Sequence, residues 1–233
     1  MPDTAPRQSR AVDIEATEAV EDYVKAIYSL QHGGTEAVST SALAERLGVT
    51  PGSASGMVKK LAGLGLVDHV PYRGMILTPL GRRLALEVLR HHRLLELYLT
   101  EAFGMPWDQV HAEAERLEHV LSEELEELIA EKLGDPTVDP HGDPIPHRDG
   151  TIDEPETCSL VELEPGEEAL FLRVSDSNPD MLRYLAERQI RPGQELTVTD
   201  KQPFGGPLFV RIAGGDHALG GALARAMRVK PLG

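Results

Sequence analysis

Apolar residues recur at helical intervals in the first part of the chain. From residue 15 to 30 they repeat every three or four positions, which predicts an amphipathic helix. A short helix is predicted over residues 40–47, and a third helix begins at Pro51 with Thr50 as its N-cap. A tight turn at Gly48 separates the last two helices. Two helices joined by a short glycine-bearing turn are typical of a helix-turn-helix.

Two short β-like runs follow the third helix. Residues 66–70 and 75–78 are mostly aliphatic, and the segment that joins them contains proline and glycine. This arrangement predicts a hairpin. Since a hairpin directly after a helix-turn-helix is placed as a wing, we predict a winged helix-turn-helix DNA-binding domain over residues 14–84.

Helical spacing returns in the middle of the chain. A leucine-rich helix is predicted over residues 82–100, and a second helix is predicted over residues 107–133, where Gly134 and Pro136 end it. The second helix carries an apolar stripe, which consists of Leu117, Val120, Leu121, Leu125 and Leu128. A symmetry mate would bury this stripe best, so we expect a homodimer.

The last third of the chain has a different pattern. Residues 136–156 contain several proline, glycine and aspartate residues and predict a loop or linker. Beyond them, short valine and leucine runs predict the strands of a small β-barrel; these are residues 170–174, 196–198 and 208–212. A helical turn is predicted over residues 181–187. The predicted fold class is therefore mostly α with small β parts.

Histidine and carboxylate side chains share helix faces in the middle region. His92 and Glu96 are four residues apart on the first long helix. Counted from His111, offsets of four, seven and eight residues place further donors on one face of the second predicted helix. These donors are His111, Glu115, Glu118 and His119. This set offers nitrogen and oxygen but no sulfur, which suits a hard or borderline divalent cation such as Mn²⁺ or Fe²⁺. The sequence therefore predicts a metal site beside the DNA-binding module.

Each of these residues has an ordinary alternative as a surface side chain. A run of glutamates on a helix is usually a solvated face, and a single histidine is more often packed or exposed than a ligand. The combined pattern favours a metal site, because chance rarely places so many donors on shared faces. His91, Glu113 and Glu123 fall outside the pattern and are expected on the surface.

Charge and composition narrow the function. The formal charge of −15 argues against a non-specific nucleic-acid coat but allows one local basic surface. No apolar run is long enough for a membrane span, and the polar start lacks the features of a secretory signal. The single cysteine, Cys158, fits a reducing compartment. We expect a cytoplasmic protein with a disordered tail over residues 1–13 and no membrane partner.

The helix that begins at Pro51 is expected to lie in a major groove of double-stranded DNA. Its predicted contact positions are Thr50, Pro51, Ser53, Ala54, Ser55, Lys59 and Lys60. Hydroxyls and lysines suit phosphates and base edges, and Ala54 is expected to touch a thymine methyl group. In the wing, Tyr72 and Arg73 are expected to reach the DNA backbone or the minor groove.

An enzyme is the competing class of function. A cluster of carboxylates and histidines can hold a hydrolytic metal, so a metallohydrolase is the remote alternative. The sequence lacks the His-Glu-x-x-His signature of zinc proteases and the Glu-x-x-His pairs of di-iron bundles. It also lacks a glycine-rich phosphate loop and a nucleophile elbow. We therefore expect no catalytic residues and no small-molecule substrate.

Four stretches of the chain resemble the diphtheria toxin repressor family of metal-activated regulators. They are residues 19–23 (AVEDY), 90–96 (RHHRLLE), 110–119 (VHAEAERLEH) and 139–146 (DPHGDPIP). The resemblance implies metal-binding dimerisation helices over residues 85–150 and an SH3-like, FeoA-like domain over residues 151–233. It also implies a repressor of metal-uptake genes that divalent metal activates for binding to a palindromic operator.

The resemblance further implies two sets of ligands and one or two divalent ions per subunit. The primary site would use Asp22, His92, Glu115, Glu118 and His119. The secondary site would use Glu96, His111, Asp139 and His141, with Asp176 as a ligand from the C-terminal domain.

Two positions imply that the metal is manganese. Iron-sensing members of the family have methionine where this chain has Asp22 and cysteine where it has Glu115, whereas the manganese-sensing branch has acids at both. Manganese binds most weakly in the divalent series, and a carboxylate-rich site favours it. Mn²⁺ is therefore expected, and an Fe²⁺-dependent repressor is the alternative. Some manganese regulators have a second acid where this chain has Lys25.

Overall fold

The computed structural model describes residues 17–31, 34–70 and 73–233. The chain forms two compact units. The first comprises the chain up to His91 together with Glu118–Leu125 and Pro146–Thr151, and the second comprises the remainder. The predicted tail over residues 1–13 lies outside the described residues. In the part of the chain that is described, no helix is both long and apolar enough to cross a membrane.

Three helices and a hairpin open the first unit. They are α1 (Glu18–Leu30), α2 (Thr40–Leu47), α3 (Pro51–Gly63), β1 (Val67–Val70) and β2 (Gly74–Leu77). The Ser39 side chain accepts a hydrogen bond from the Ala42 N–H at the start of α2, and Thr50 caps α3 in the same way through Ser53. These elements confirm the predicted winged helix-turn-helix.

The second strand anchors the wing to the rest of the unit. β1 and β2 pair antiparallel, with Val67 opposite Leu77, and Met75 forms an isolated bridge with Val38. Gly74 has a φ of +120°, and a Cβ atom there would lie 1.9 Å from the carbonyl oxygen of Val38. Any larger residue would therefore push the wing away from this contact.

Helix α4 (Pro79–Phe103) is longer than the predicted range of 82–100. Its first turn is fixed by Thr78, whose Oγ1 accepts a hydrogen bond from the Gly81 N–H. Pro79 suits the first helical position, because no intrahelical partner is available to an N–H there. Residues of α4 up to His91 belong to the first unit, and those from His92 onward belong to the second.

The prediction of one continuous helix over residues 107–133 is wrong. The chain forms α5 (Val110–Leu117), a 3-10 turn (Glu118–Val120) and α6 (Glu123–Leu133). The break occurs because the Ser122 Oγ accepts a hydrogen bond from the Leu125 N–H, which caps a new helix.

A six-stranded antiparallel sheet in the order β3-β8-β4-β5-β6-β7 forms the C-terminal part of the second unit. Its strands are β3 (Cys158–Ser159), β4 (Glu168–Val174), β5 (Glu195–Lys201), β6 (Leu208–Ile212), β7 (Gly215–Leu219) and β8 (Met227–Pro231), accompanied by α7 (Pro179–Glu187) and α8 (Gly221–Ala226). The three predicted strands and the predicted helical turn are confirmed as β4, β5, β6 and α7. The pattern did not predict β7, because Leu219 is its one buried residue.

Close backbone contacts fix the loop after α6 against this sheet. Gly142 has a φ of +88°, and a Cβ atom there would lie 1.9 Å from the Leu172 carbonyl oxygen. The Val174 N–H donates a hydrogen bond of 3.0 Å to the carbonyl oxygen of His141. These contacts hold His141 in the interior of the second unit, where it is fully buried.

Candidate metal sites and DNA-binding surface

Candidate ligands converge within each unit. The group in the first unit, here called the first-unit cluster, comprises Asp22, Glu118 and His119. The group in the second unit, here called the second-unit cluster, comprises His92, Glu96, His111 and Asp176. In each cluster, one donor atom from every residue lies within 4.8 Å of all the others. Both clusters offer nitrogen and oxygen donor atoms and no sulfur.

The first-unit cluster joins helix α1 to the 3-10 turn. His119 Nε2 lies 3.0 Å from Asp22 Oδ1 and 3.5 Å from Glu118 Oε1. The Glu118 side chain is fully buried, whereas the Asp22 side chain is 40% exposed. The cluster is therefore built on a buried carboxylate and opens toward solvent at Asp22.

Glu21 orients the histidine of this cluster, a role that the sequence pattern did not predict. Its Oε2 lies 2.6 Å from His119 Nδ1, so the other ring nitrogen faces Asp22 and Glu118. Burial opposes protonation of His119, but the hydrogen bond to Glu21 and the charges of Glu118 and Asp22 raise its pKa above the ordinary value. The sequence signal is that Glu21 precedes Val24 and Tyr28 by three and seven residues, which places it on the apolar face of α1.

Lys25 supplies a fixed positive charge to the first-unit cluster. Its Nζ donates a hydrogen bond of 2.6 Å to Glu118 Oε1, and the two side chains are 14% and 0% exposed. A buried ion pair of this kind compensates a carboxylate that would otherwise be costly to desolvate. Lys25 therefore neutralises part of the negative charge that Asp22, Glu21 and Glu118 bring together.

The expectation that His91 lies on the surface is wrong. Its side chain is buried, and its Nδ1 lies 3.3 Å from the carbonyl oxygen of Glu118. The 3-10 turn presents this carbonyl to His91 because the helix is interrupted there. His91 thus supports the backbone of Glu118.

Four donor atoms meet in the second-unit cluster. Glu96 Oε1 lies 3.0 Å from His92 Nε2 and 3.2 Å from His111 Nδ1, and these two nitrogens are 3.1 Å apart. Asp176 Oδ2 lies 2.9 Å from His111 Nδ1. Neighbouring ligands about 2.2 Å from an octahedral ion are about 3.1 Å apart. The donor atoms therefore have the spacing and chemistry that one divalent cation requires.

Opposite charges shift the pKa values in this cluster. Burial opposes protonation of His111, but hydrogen bonds to Asp176 and Glu96 raise its pKa to about 10. Burial alone would raise the pKa of Glu96, yet the charge of His92 and the histidine hydrogen bonds hold it well below its usual value. Without metal, protons on the imidazoles therefore balance the buried carboxylate.

The five predicted primary ligands belong to different units. Asp22, Glu118 and His119 converge in the first unit. His92 and Glu115 belong to the second, where Glu115 Oε1 lies 3.8 Å from His92 Nδ1 and from His111 Nε2.

Asp139 and His141, predicted as secondary ligands, lie on the far side of Glu96. These three residues form a further buried group within 4.8 Å. Burial and the charges of Asp143 and Glu96 raise the pKa of Asp139 well above its usual value. Burial opposes protonation of His141, but Glu96 and Asp139 raise its pKa to about 9.

Most of the predicted DNA contacts on α3 are exposed, but Ala54 is not. It is fully buried, because its position on α3 faces the interior of the unit, so the expected contact with a thymine methyl group is wrong. The other predicted positions are exposed, namely Thr50, Pro51, Ser53, Ser55, Lys59 and Lys60. In the wing, Arg73 is exposed and Tyr72 lies outside the described residues.

Three family models match successive parts of the chain. Residues 15–75 match the N-terminal DNA-binding domain of iron-dependent repressors, residues 78–147 match their metal-binding and dimerisation domain, and residues 158–231 match the FeoA domain. The iron-dependent repressor IdeR of Mycobacterium tuberculosis is 39% identical over 108 residues, which is 46% of each chain. The chain spans about half the length of the curated relatives it matches.

Solved structures extend the likeness over most of the chain. A manganese-dependent transcriptional repressor in complex with manganese is 42% identical, with a TM-score of 0.85, over 91% of this chain and 100% of that chain. The manganese regulator SloR is 31% identical, with a TM-score of 0.73, over 91% of this chain and 98% of that chain. The chain belongs to the iron-dependent repressor family. Iron-dependent repressors are DNA-binding transcriptional repressors rather than enzymes, which excludes the metallohydrolase alternative.

Proposed function

We propose that this chain is a transcriptional repressor that binds a DNA operator when it is loaded with a divalent metal. The observation that carries the proposal is the first-unit cluster, because Asp22 lies on α1 of the winged helix and converges with Glu118 and His119. An ion bound there joins the DNA-reading part of the unit to the 3-10 turn. The ion then controls DNA binding through α1, which packs against α2 of the winged helix-turn-helix.

The ion acts through its differential affinity for two arrangements of the cluster. Without it, Asp22, Glu118 and Glu21 repel one another, and Lys25 compensates them only in part. An ion that fills the cluster stabilises the arrangement in which α1 is held to the turn. Coupling free energies of this kind are about 1–3 kcal/mol, which corresponds to roughly 5–150-fold in DNA affinity.

Mn²⁺ is the metal that the donor set favours. Asp22 and Glu115 supply oxygen at the two positions that would be sulfur in the iron-sensing branch. Oxygen donors suit Mn²⁺, whereas sulfur would favour softer and later metals. The similar structures include repressors described as manganese-dependent, and the curated relatives include iron-dependent IdeR. An Fe²⁺-dependent repressor of the same family is the second candidate.

The second-unit cluster is proposed to hold another ion. Its ligands would be His92, Glu96 and His111, with Asp176 from the segment that follows β4. In this position an ion fastens the C-terminal domain to the helices of the same unit. Together with the ion of the first-unit cluster, it makes two ions per chain.

A homodimer on a palindromic operator completes the proposal. The matched middle domain is a dimerisation domain. Three residues of the predicted apolar stripe remain exposed: Val120 at 71%, Leu125 at 49% and Leu128 at 62%. Large apolar side chains open to water are typical of an interaction surface. Two copies would present two α3 helices to successive major grooves, with Thr50, Ser53, Lys59, Lys60 and Arg73 toward the DNA. We place this activity in the cytoplasm.

Selection from a random pool of duplex DNA tests the proposal and itself reveals the operator sequence. We expect Mn²⁺-loaded protein to enrich a palindromic sequence, and protein with a chelator to enrich none. Asp22→Asn should lose the enrichment, whereas Asp216→Asn, an exposed change on β7, should retain it. Equal enrichment with metal and with chelator would contradict metal control.

A further inference from the structure

The hairpin that joins β5 to β6 ends in a turn with an unusual backbone conformation. The Gly206 N–H donates a hydrogen bond of 3.2 Å to the Pro203 carbonyl oxygen, which closes a four-residue turn. Its two central residues both have positive φ, +60° at Phe204 and +74° at Gly205. This combination is typical of a type I′ turn, where asparagine, aspartate and glycine are favoured. Phe204 is therefore a bulky residue in a conformation that costs free energy.

The side chain of Phe204 does not offset this cost by burial. Among the residues that the structure describes, nothing covers its ring, which is fully exposed to water. The turn is nevertheless held in place, because a Cβ atom at Gly221, the first residue of α8, would lie 2.9 Å from the Gly205 carbonyl oxygen. A costly backbone conformation that the surrounding structure fixes is typical of a functional site.

An open cavity of about 380 Å³ lies beside the turn. Its apolar wall includes Val161, Pro203, Phe204 and Leu208. Small-molecule sites span roughly 300–1,000 Å³, so this cavity has the size of a site for a small ligand. A ligand seated in it would cover the ring of Phe204 that the fold leaves in water.

The charge around the cavity differs from that of the whole chain. The formal charge of the chain is −15, yet the cavity is lined by the cations Lys201 and Arg225 and by no acidic side chain of the described residues. Lys201 is already paired, with its Nζ 2.7 Å from Glu164 Oε1. The guanidinium of Arg225 has no hydrogen-bond or ion-pair partner within the described part of the chain. It therefore suits a carboxylate, which a guanidinium binds through two parallel hydrogen bonds.

We propose that this cavity binds a small organic acid, with its carboxylate on Arg225 and its apolar body against Phe204 and Leu208. The unpaired cation explains the charge of the ligand, and the exposed ring explains its apolar body. Covering the ring supplies the stabilisation that the fold alone does not obtain from it. None of the lining residues belongs to either metal cluster, so the inference goes beyond the proposed function and does not rest on it.

Titration of the full chain with phenylacetate tests the site. We expect saturable shifts of the Gly205 and Gly206 amide signals in two-dimensional NMR spectra, with a dissociation constant of about 1 mM or below. Phenylacetamide has the same body without the charge, and inorganic phosphate has a charge without the body. Both should bind about tenfold more weakly. Equal affinity for phenylacetate and either control compound would overturn the proposal.

Two variants separate the roles of the cation and the ring. Arg225→Gln should weaken phenylacetate binding about tenfold, because it removes the charged partner. Arg211→Gln, an exposed change on β6 outside the cavity, is the control and should keep the affinity. Phe204→Asn should weaken binding about fivefold. It should also raise the unfolding temperature by about 2–4 °C, since asparagine suits the turn.

The opposite effects expected of Phe204→Asn distinguish a ligand site from damage to the fold. A variant that loses affinity and unfolds at a higher temperature supports a ring placed for binding at the expense of stability. Wild-type affinity in both Arg225→Gln and Phe204→Asn would overturn the proposal. A lower unfolding temperature of Phe204→Asn would also overturn it, because Phe204 would then stabilise the fold.

Discussion

The two clusters balance buried carboxylates with different positive charges. In the first-unit cluster, the ammonium group of Lys25 contacts Glu118, and Asp22 is 40% exposed. In the second-unit cluster, protonated imidazoles surround Glu96, and the pKa of His111 is raised to about 10. Only the first-unit cluster includes a residue of helix α1. The comparison teaches that the first site can respond to metal near the DNA reader, whereas the second must release the more tightly held proton of His111 before it fills.

Replacing one histidine in each cluster should give the largest difference in operator affinity between two variants. His119→Gln removes the nitrogen that faces Asp22 and Glu118, so we expect it to abolish metal activation and lower operator affinity up to about 100-fold in Mn²⁺. His111→Gln is the matched change in the second-unit cluster and should lower operator affinity much less. Fluorescence anisotropy on the selected DNA measures both. Equal losses would mean that the clusters act as one switch.

Softer donors at Asp22 and Glu115 should change which metal activates the protein. Asp22→Met and Glu115→Cys replace oxygen with sulfur, which favours later and softer metals. We expect the ratio of Mn²⁺ to Fe²⁺ activation to fall roughly tenfold in the double variant, measured as the metal concentration for half-maximal anisotropy under anaerobic conditions. Asp176→Asn, the matched change in the other cluster, should leave the ratio unchanged. If the double variant keeps the wild-type ratio, these positions do not set selectivity.

Metal binding to the second-unit cluster should release the tightly held proton of His111. The pKa of His111 is raised from 6.5 to about 10, so its proton is fully bound in the metal-free fold near neutral pH and is lost only above about pH 10. Metal must displace this proton, and affinity should rise about tenfold per pH unit for each proton released. Calorimetry in buffers of different ionisation enthalpy measures the release. His111→Gln should reduce it, and an unchanged value would contradict the assigned proton.

The smallest effect is expected on the DNA-reading surface itself. Lys60 is exposed at the end of α3 and suits a phosphate contact. Lys60→Ala should weaken binding a few-fold on every DNA sequence. It should also reduce the slope of the logarithm of the binding constant against the logarithm of the salt concentration by about one. Lys132→Ala, an exposed lysine on α6, is the control. An unchanged slope would mean that Lys60 does not contact phosphate.

Local signals in the sequence predicted the elements well. Thr50 and Pro51 mark the start of α3, and the hydroxyl and ring geometry that make them good starting residues do not depend on the rest of the fold. The spacing of His92 and Glu96 predicted a shared helix face for the same reason. Ser122 caps α6 but lies within the apolar periodicity of residues 117–128, so the pattern predicts one continuous helix in place of α5 and α6.

Long-range pairs could not be predicted from spacing. Lys25 and Glu118 are 93 positions apart, and Glu21 and His119 are 98 apart. Their partnership depends on how α1 and the 3-10 turn pack in the first unit, which periodicity does not encode. The predicted DNA contact of Ala54 was wrong for a related reason, because the packing of the neighbouring helices decides which face of α3 points inward. The ligand types were therefore predictable, while the residues that orient and neutralise them were not.

The most direct test of the account is the operator affinity of the wild type with Mn²⁺ and with chelator at one salt concentration. Metal control through the first-unit cluster predicts a dissociation constant roughly 5–150-fold lower with Mn²⁺. Equal dissociation constants in the two conditions would contradict it.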